Sequence, residues 1–244
     1  MTEQPTTLPA TGSFPATPWT MVAESSGDSA EGREALARVC RLYWQPLCEF
    51  VRRSGRGAEE PEDVTQGFFQ HLLSGTALEK ADRTRGRLRS WLLGMMKIYM
   101  ASQWRRQEAV KRGGGMERVD FAVALDQAAG TGEDALPPDL AYERRWAVTL
   151  LEKSLAALAA EQERHGRAEA FAVLGDFLSW NGGGTSYEEV ATQLGWSHSA
   201  VASAIFRLRK RFRELLRTEV AATVASPDDV EEELRHLRTV FQRT

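Results

Sequence analysis

The sequence predicts an all-α fold: two helical domains joined by a flexible acidic linker, the second containing a helix-turn-helix. Three observations predict it. Apolar residues recur at i, i+3, i+4 and i+7 through most of the chain, and no alternating strand pattern of useful length appears. The stretch 113–139 is glycine- and proline-punctuated and divides the helical pattern in two. The segment Thr185–Leu216 then combines a cap signal, a glycine stop and a basic helix in that order.

The elements follow in chain order. Residues 1–30 form a flexible N-terminal tail with Pro5, Pro9, Pro15 and Pro18, and Phe14 and Trp19 are its only large anchors. The first domain spans 31–112. Within it, Glu34–Arg53 is an amphipathic helix with Leu36, Val39, Cys40, Tyr43, Trp44, Leu47, Phe50 and Val51 on one face. Pro61 opens a second helix where its missing N–H costs nothing, and Glu59, Glu60, Glu62 and Asp63 suit the positive end of its dipole. Val64, Phe68 and Leu72 bury one side of that helix, and Asp63, Gln66 and Gln70 stay on the other. A long helix from about Gly86 to Ala109 carries a core stripe of Leu88, Trp91, Leu92, Met95, Met96, Tyr99 and Met100. Its far end is basic: Lys97, Arg105, Arg106, Lys111 and Arg112 stand against Glu108. Trp91 reads as core. Trp104, among Gln103, Arg105 and Arg106, fits two readings equally: a base-stacking platform on single-stranded DNA, or a buried ring with a basic rim.

The linker, 113–139, holds six acids against Arg118. The second domain spans 140–225. Trp146, Leu150, Leu151, Leu155 and Leu158 form one stripe, and Phe171, Leu174, Phe177 and Leu178 the next. Thr185 and Glu188 match a capping box. Tyr187, Val190, Ala191 and Leu194 then give an apolar face, and Gly195 stops the helix as a left-handed C-cap. Ser197 caps the following helix, whose inner face is Val201, Ile205, Leu208 and Phe212. Ser199, Ser203, Arg207 and Lys210 fall on another face. From Ser197 to Arg217, six basic residues oppose Glu214, a net charge of +5. Small polar residues early and arginines later suit major-groove entry with phosphate clamping behind it. The plainer alternative is a helical hairpin with a solvated basic face. A C-terminal helical extension, 226–244, is capped by Ser226 and begins at Pro227. It carries acids in its first turns and Val230, Leu234, Leu237 and Phe241 on one face. It either adds core to the second domain or lays its acids over the basic helix.

Composition narrows the function classes. The 244 residues leave room for one or two domains, and 27% charged with 42% hydrophobic residues fits a soluble protein. The net charge of −3 hides a strong local asymmetry, with the bases in two blocks. No apolar run is long enough to span a membrane, and the N-terminus is not a secretory signal, which points to a cytoplasmic protein. Cys40 and Cys48 lie about 12 Å apart along one helix, beyond disulfide reach. The four histidines show no metal-ligand spacing. Neither glycine run is a phosphate loop, and no nucleophile–base arrangement can be drawn. No catalytic site, metal or cofactor is therefore expected.

The order of these pieces resembles the extracytoplasmic-function (ECF) sigma factors, the two-domain promoter-specificity subunits of bacterial RNA polymerase. EDVTQGFFQHLL (62–73) resembles the family's polymerase-clamp helix, RLRSWLLGMMKIYMASQWRR (87–106) its promoter-melting, −10-reading helix, and SYEEVATQLGWSHSAVASAIFRLRKRFREL (186–215) its −35-reading helix-turn-helix. The resemblance implies core RNA polymerase and promoter DNA as partners, and leaves room for an anti-sigma or other regulatory protein. It implies that Asp63, Thr65 and Gln66 contact polymerase. Arg89, Trp91, Lys97, Trp104 and Arg105 would handle the −10 region, and Ser199, Ser203, Arg207 and Lys210 the −35 region. Three positions depart from the family pattern: Ile98 stands where an asparagine is usual, Ser102 where an aspartate is common, and Ala202 where a lysine is common. The loss of those polar groups puts the usual base contacts in doubt and points either to an unusual promoter sequence or to reading that relies more on phosphates and DNA shape. One rival is a free-standing transcriptional regulator. The other is a small helical enzyme with an appended DNA-binding module, which would need a polar pocket that the sequence does not display.

Overall fold

The computed structural model describes residues 30–55, 60–74, 87–111, 136–178, 186–224 and 226–242. Every regular element among them is helical. In order these are α1 (Ala30–Arg53), α2 (Pro61–Ser74), α3 (Leu88–Lys111), α4 (Pro138–Arg164), α5 (Ala168–Leu174), a 3₁₀ turn (Gly175–Leu178), α6 (Tyr187–Leu194), α7 (His198–Ala221) and α8 (Asp229–Gln242). The expected tail, most of the expected linker, Thr185 and Gly86 lie outside the described residues.

The stripes of the first three helices bury much as their spacing requires, whereas Leu155, expected in the stripe of α4, is 41% exposed. α1 hides Val39, Tyr43, Leu47 and Phe50, α2 hides Phe68, Phe69 and Leu72, and α3 hides Leu88, Leu92, Met96 and Met100. Trp44 stacks on Phe69 at 6.0 Å between ring centroids. α1 stops where Ser54 turns back, its Oγ donating to the Phe50 carbonyl at 2.7 Å, and Gly55 adopts a φ of 62°.

The described residues form two apolar cores. The first joins α1, α2 and α3 to Tyr142, Trp146, Ala147 and Leu150 of α4, Val220 of α7 and Val230, Leu237 and Val240 of α8. The second contains Leu158 of α4, Leu174, Phe177, Val190 and the inner face of α7, namely Val201, Ile205 and Leu208. α4 and α7, about 40 and 36 Å long, therefore run through both cores. Trp146, fully buried, sits where the first half of the chain meets the second. Truncating such a ring costs about 3–5 kcal/mol.

Two local expectations are corrected. The capping box lies one residue later than Thr185–Glu188. Ser186 Oγ accepts from the Glu189 backbone N–H at 3.2 Å, and Glu189 Oε2 accepts from the Ser186 N–H at 2.7 Å. Both registers satisfy the same four-residue pattern; in this one Tyr187 turns its ring onto Phe177, 5.2 Å between centroids. The last helix begins at Asp229, two residues after Pro227, because Ser226 Oγ accepts from the Asp228 N–H at 3.2 Å and forms a turn.

Candidate nucleic-acid interface

The entry to α7 is fixed by backbone geometry. Gly195 closes α6 at φ 66°, a left-handed conformation that a side chain disfavours by about 1–2 kcal/mol. Ser197 Oγ then accepts from the Ala200 N–H at 3.2 Å and satisfies one free donor of the new helix. With Val201, Ile205 and Leu208 held inward, Ser199, Ser203, Arg207 and Lys210 are all exposed. Phe206 lies on the same face, 67% exposed, a residue the periodicity argument passed over. The signal was available: Phe206 falls three residues after Ser203 and four before Lys210.

The basic stretch is not one uniform surface. Arg209 donates through Nε and Nη2 to the Phe177 carbonyl at 3.2 and 3.1 Å. Arg211 grips both carboxylate oxygens of Glu161, at 2.8 and 2.6 Å, and also bonds Glu214 at 3.0 Å. Arg217 pairs with Glu231 of α8. All three arginines are engaged by partners within the fold, Arg217 through a solvent-exposed pair. Arg207, Lys210 and Arg213 remain exposed on the outer surface. The hydrogen bonds to Arg211 hold the Glu161 carboxyl below its ordinary value.

On α2, Asp63 and Gln66 are exposed three residues apart on one face. Thr65, two residues and so about 200° around from Asp63, is fully buried. Its Oγ1 donates to the Pro61 carbonyl at 2.8 Å and accepts from Cys48 Sγ at 3.4 Å. It presents no surface to a partner in this structure.

The residues expected to handle the −10 region are scattered. Arg105 is exposed, its Nε donating to the Ala101 carbonyl at 3.3 Å. Trp104 is half-buried, and Trp91 packs partly buried against the first core. Lys97 pairs with Asp139 at 2.7 Å and lies 5.7 Å from the Phe50 ring centroid. Arg89 is only 3% exposed. Its Nε donates to Glu233 Oε1 at 2.6 Å, its Nη1 to Glu143, and its guanidinium lies 5.1 Å from the Trp146 centroid. Burial opposes its charge, but hydrogen bonding and charge from Glu233, with the charge of Glu143, outweigh that and raise its pKa. Of the departures from the family pattern, Ile98 is exposed and Ser102 Oγ donates to the Tyr99 carbonyl at 2.8 Å.

The helices so arranged fall within one family. The family model described as ECF sigma factor matches residues 25–218. This chain belongs to the ECF sigma factors. No curated protein and no solved structure matches it. The matched range takes in α1 to α6 and nearly the whole of α7, and ends before α8. As an alternative sigma factor the chain serves transcription initiation, a regulatory rather than enzymatic role, with core RNA polymerase and promoter DNA as the family's partners. Among the described residues no group of His, Cys, Asp and Glu could hold a metal ion, and no helix is long and apolar enough to cross a membrane.

Proposed function

We propose that this sigma factor works as two modules in the cytoplasm. Residues 31–112 act as domain two, which binds core polymerase and opens the −10 element. Residues 140–225 act as domain four, which docks at the −35 element, and 113–139 connects them. Asp63 and Gln66 contact polymerase, while Thr65 supports them from beneath by bonding α2 to Cys48 of α1. Trp91, Lys97, Trp104 and Arg105 handle the opened strand, joined by Arg89 once it is freed. Ser199, Ser203, Arg207 and Lys210 enter the major groove. The chain performs no covalent chemistry.

The observation that carries this reading is the outer face of α7. It is polar and basic along Ser199, Ser203, Arg207 and Lys210, with no acid between Ser197 and Arg213. That suits base edges in front and phosphates behind.

Run-off transcription with purified core polymerase, coupled to selection of promoter sequences, tests it. The expected result is defined transcripts that require this chain and share two upstream elements. Asp63→Ala with Gln66→Ala should weaken core binding while circular dichroism stays native. DNA binding without any core-dependent transcript would instead support a free-standing regulator.

A further inference from the structure

We propose that α8 is a clasp that holds this sigma factor closed, with Glu233 withdrawing Arg89 from promoter DNA until the clasp opens. The inference rests on the reading of α3 as the −10 helix and α7 as the −35 helix.

Three consecutive acids of α8 take three different grips. Glu231 pairs with Arg217 of α7. Glu232 pairs with Arg87 ahead of α3. Glu233, 1% exposed, meets Arg87 at 2.9 Å and Arg89 at 2.6 Å. Glu143 of α4 closes the network from the other side, with one oxygen to Arg89 and the other to His236 of α8. The Tyr142 hydroxyl donates to the Arg89 carbonyl at 2.9 Å. α8 thus ties the start of α3 to α4 and to the tail of α7. Its acids do not lie over the outer face of α7: Glu231, Glu232 and Glu233 are spent on Arg217, Arg87 and Arg89. The expected pairing of these acids with the basic helix is met only at Arg217, while Glu232 and Glu233 turn instead to Arg87 and Arg89.

Two physical consequences make the closed form unable to sit on a promoter. Arg89 is buried with its donors directed at Glu233 and Glu143, so neither a phosphate nor a base can reach it. Span is the second obstacle. Elements 25 base pairs apart are separated by about 85 Å at 3.4 Å per pair. From Arg89 to Arg105 is about 24 Å along α3, and from Ser199 to Arg217 about 27 Å along α7. Allowing about 20 Å for the Arg–Glu bridges through α8 between them, even an end-to-end layout reaches only about 70 Å. The two halves must part for both elements to be read at once. Parting the halves also uncovers the apolar contact of α1 with Tyr142, Trp146 and Leu150 of α4, so the ionic grip of α8 adds to a shared core, and its Glu232 and Arg217 members are exposed to water and salt.

The test uses the full chain with dyes at two exposed positions, Gln45→Cys on α1 and Glu188→Cys on α6, in a Cys40→Ser background. Energy transfer reads closure, and run-off transcription by the unlabelled chain with limiting sigma and core polymerase reads function. Glu233→Gln and Glu143→Gln remove charge at nearly constant shape. The expected result is lower transfer and about fivefold or more transcript for a variant with a native melting curve. Native-like variants with unchanged transfer, or with lowered transfer and no gain in transcript, overturn the proposal. So does failure of both variants to fold, since the network would then be a structural tie and not a clasp. If wild-type and variant chains alike give no core-dependent transcript, the sigma reading fails instead, and transfer alone decides whether α8 holds the halves together.

Discussion

Arg209 and Phe177 are joined side chain to backbone: both Nε and Nη2 of the arginine donate to the phenylalanine carbonyl, across 32 residues of sequence. A residue that sequence alone counts with the DNA-facing charge is therefore a brace between α7 and the 3₁₀ turn. Arg209→Ala should cost about 1–2 kcal/mol of stability, since the carbonyl loses a charged donor pair. It should leave the salt dependence of promoter binding unchanged once folded protein is compared with folded protein. Arg207→Ala should do the reverse. Its melting curve should match wild type, while DNA affinity falls by about 1–3 kcal/mol at one base position if the contact is to a base. If the contact is to phosphate, affinity falls on every sequence and the salt slope drops by about one. Thermal melts and a salt titration of both variants separate these outcomes.

Thr65 marks a division of labour inside α2. Its hydroxyl is buried between Pro61 and Cys48, while Asp63 and Gln66 face outward. Thr65→Val keeps the shape and removes both hydrogen bonds, so it should lower stability by about 1–2 kcal/mol. Core polymerase affinity per folded molecule should remain that of wild type. A loss of affinity at full foldedness, measured by titration below the melting transition, would show instead that Thr65 is reached by polymerase.

Much of this arrangement was legible in the residues. The stripes on α1, α2, α3 and α7 predicted which side chains bury, because a 3.6-residue period is written directly in the sequence. Gly195 and Ser197 located the turn, because only a few residue types serve those backbone positions. The partner of each stripe was not legible. Trp146 and Leu150 read as the core of the second half, yet they pack with Tyr43 and Leu47 of α1. Hydrophobic spacing says that a face is covered and nothing of what covers it. The partner of Arg89 was hidden for the same reason. An arginine at the head of a DNA-handling helix looks available until Glu233, 144 residues away, is found against it. Thr65 fell into a motif of neighbouring letters, whereas the helix sends neighbours in different directions.

Acid should loosen the contact between α4 and α7 selectively. Glu161 carries two hydrogen bonds from Arg211, which lower its pKa from the ordinary 4.5. A carboxylate held lower in the folded state contributes stability that is fully present above its unfolded value and fades as pH falls through the folded value. Glu161→Gln should therefore melt below wild type at pH 6–7, by roughly the same interval across that range. The interval should shrink as the pH is taken below 4.5. A gap that persists undiminished in strong acid would mean that the pair is not the source of the difference.

Gly67 and Tyr99 set how closely α2 approaches α3. A Cβ at Gly67 would lie 2.5 Å from Tyr99 Oη but 3.6 Å from its Cζ, so the oxygen alone is in the way. The ring has limited freedom to retreat: it packs edge-on against Phe68 at 5.8 Å, and its hydroxyl accepts from Gln103 Nε2 at 2.9 Å. Gly67→Ala pits a better helix former, worth about 1 kcal/mol, against overpacking of about 1–3 kcal/mol. The single variant should come out destabilised by about 1 kcal/mol. In a Tyr99→Phe background the obstruction is gone, and the same substitution should become neutral or stabilising by up to about 1 kcal/mol. Melting the four proteins of this cycle measures the coupling directly. Strict additivity would mean that Tyr99 moves aside at no cost and that Gly67 is not there to admit its hydroxyl.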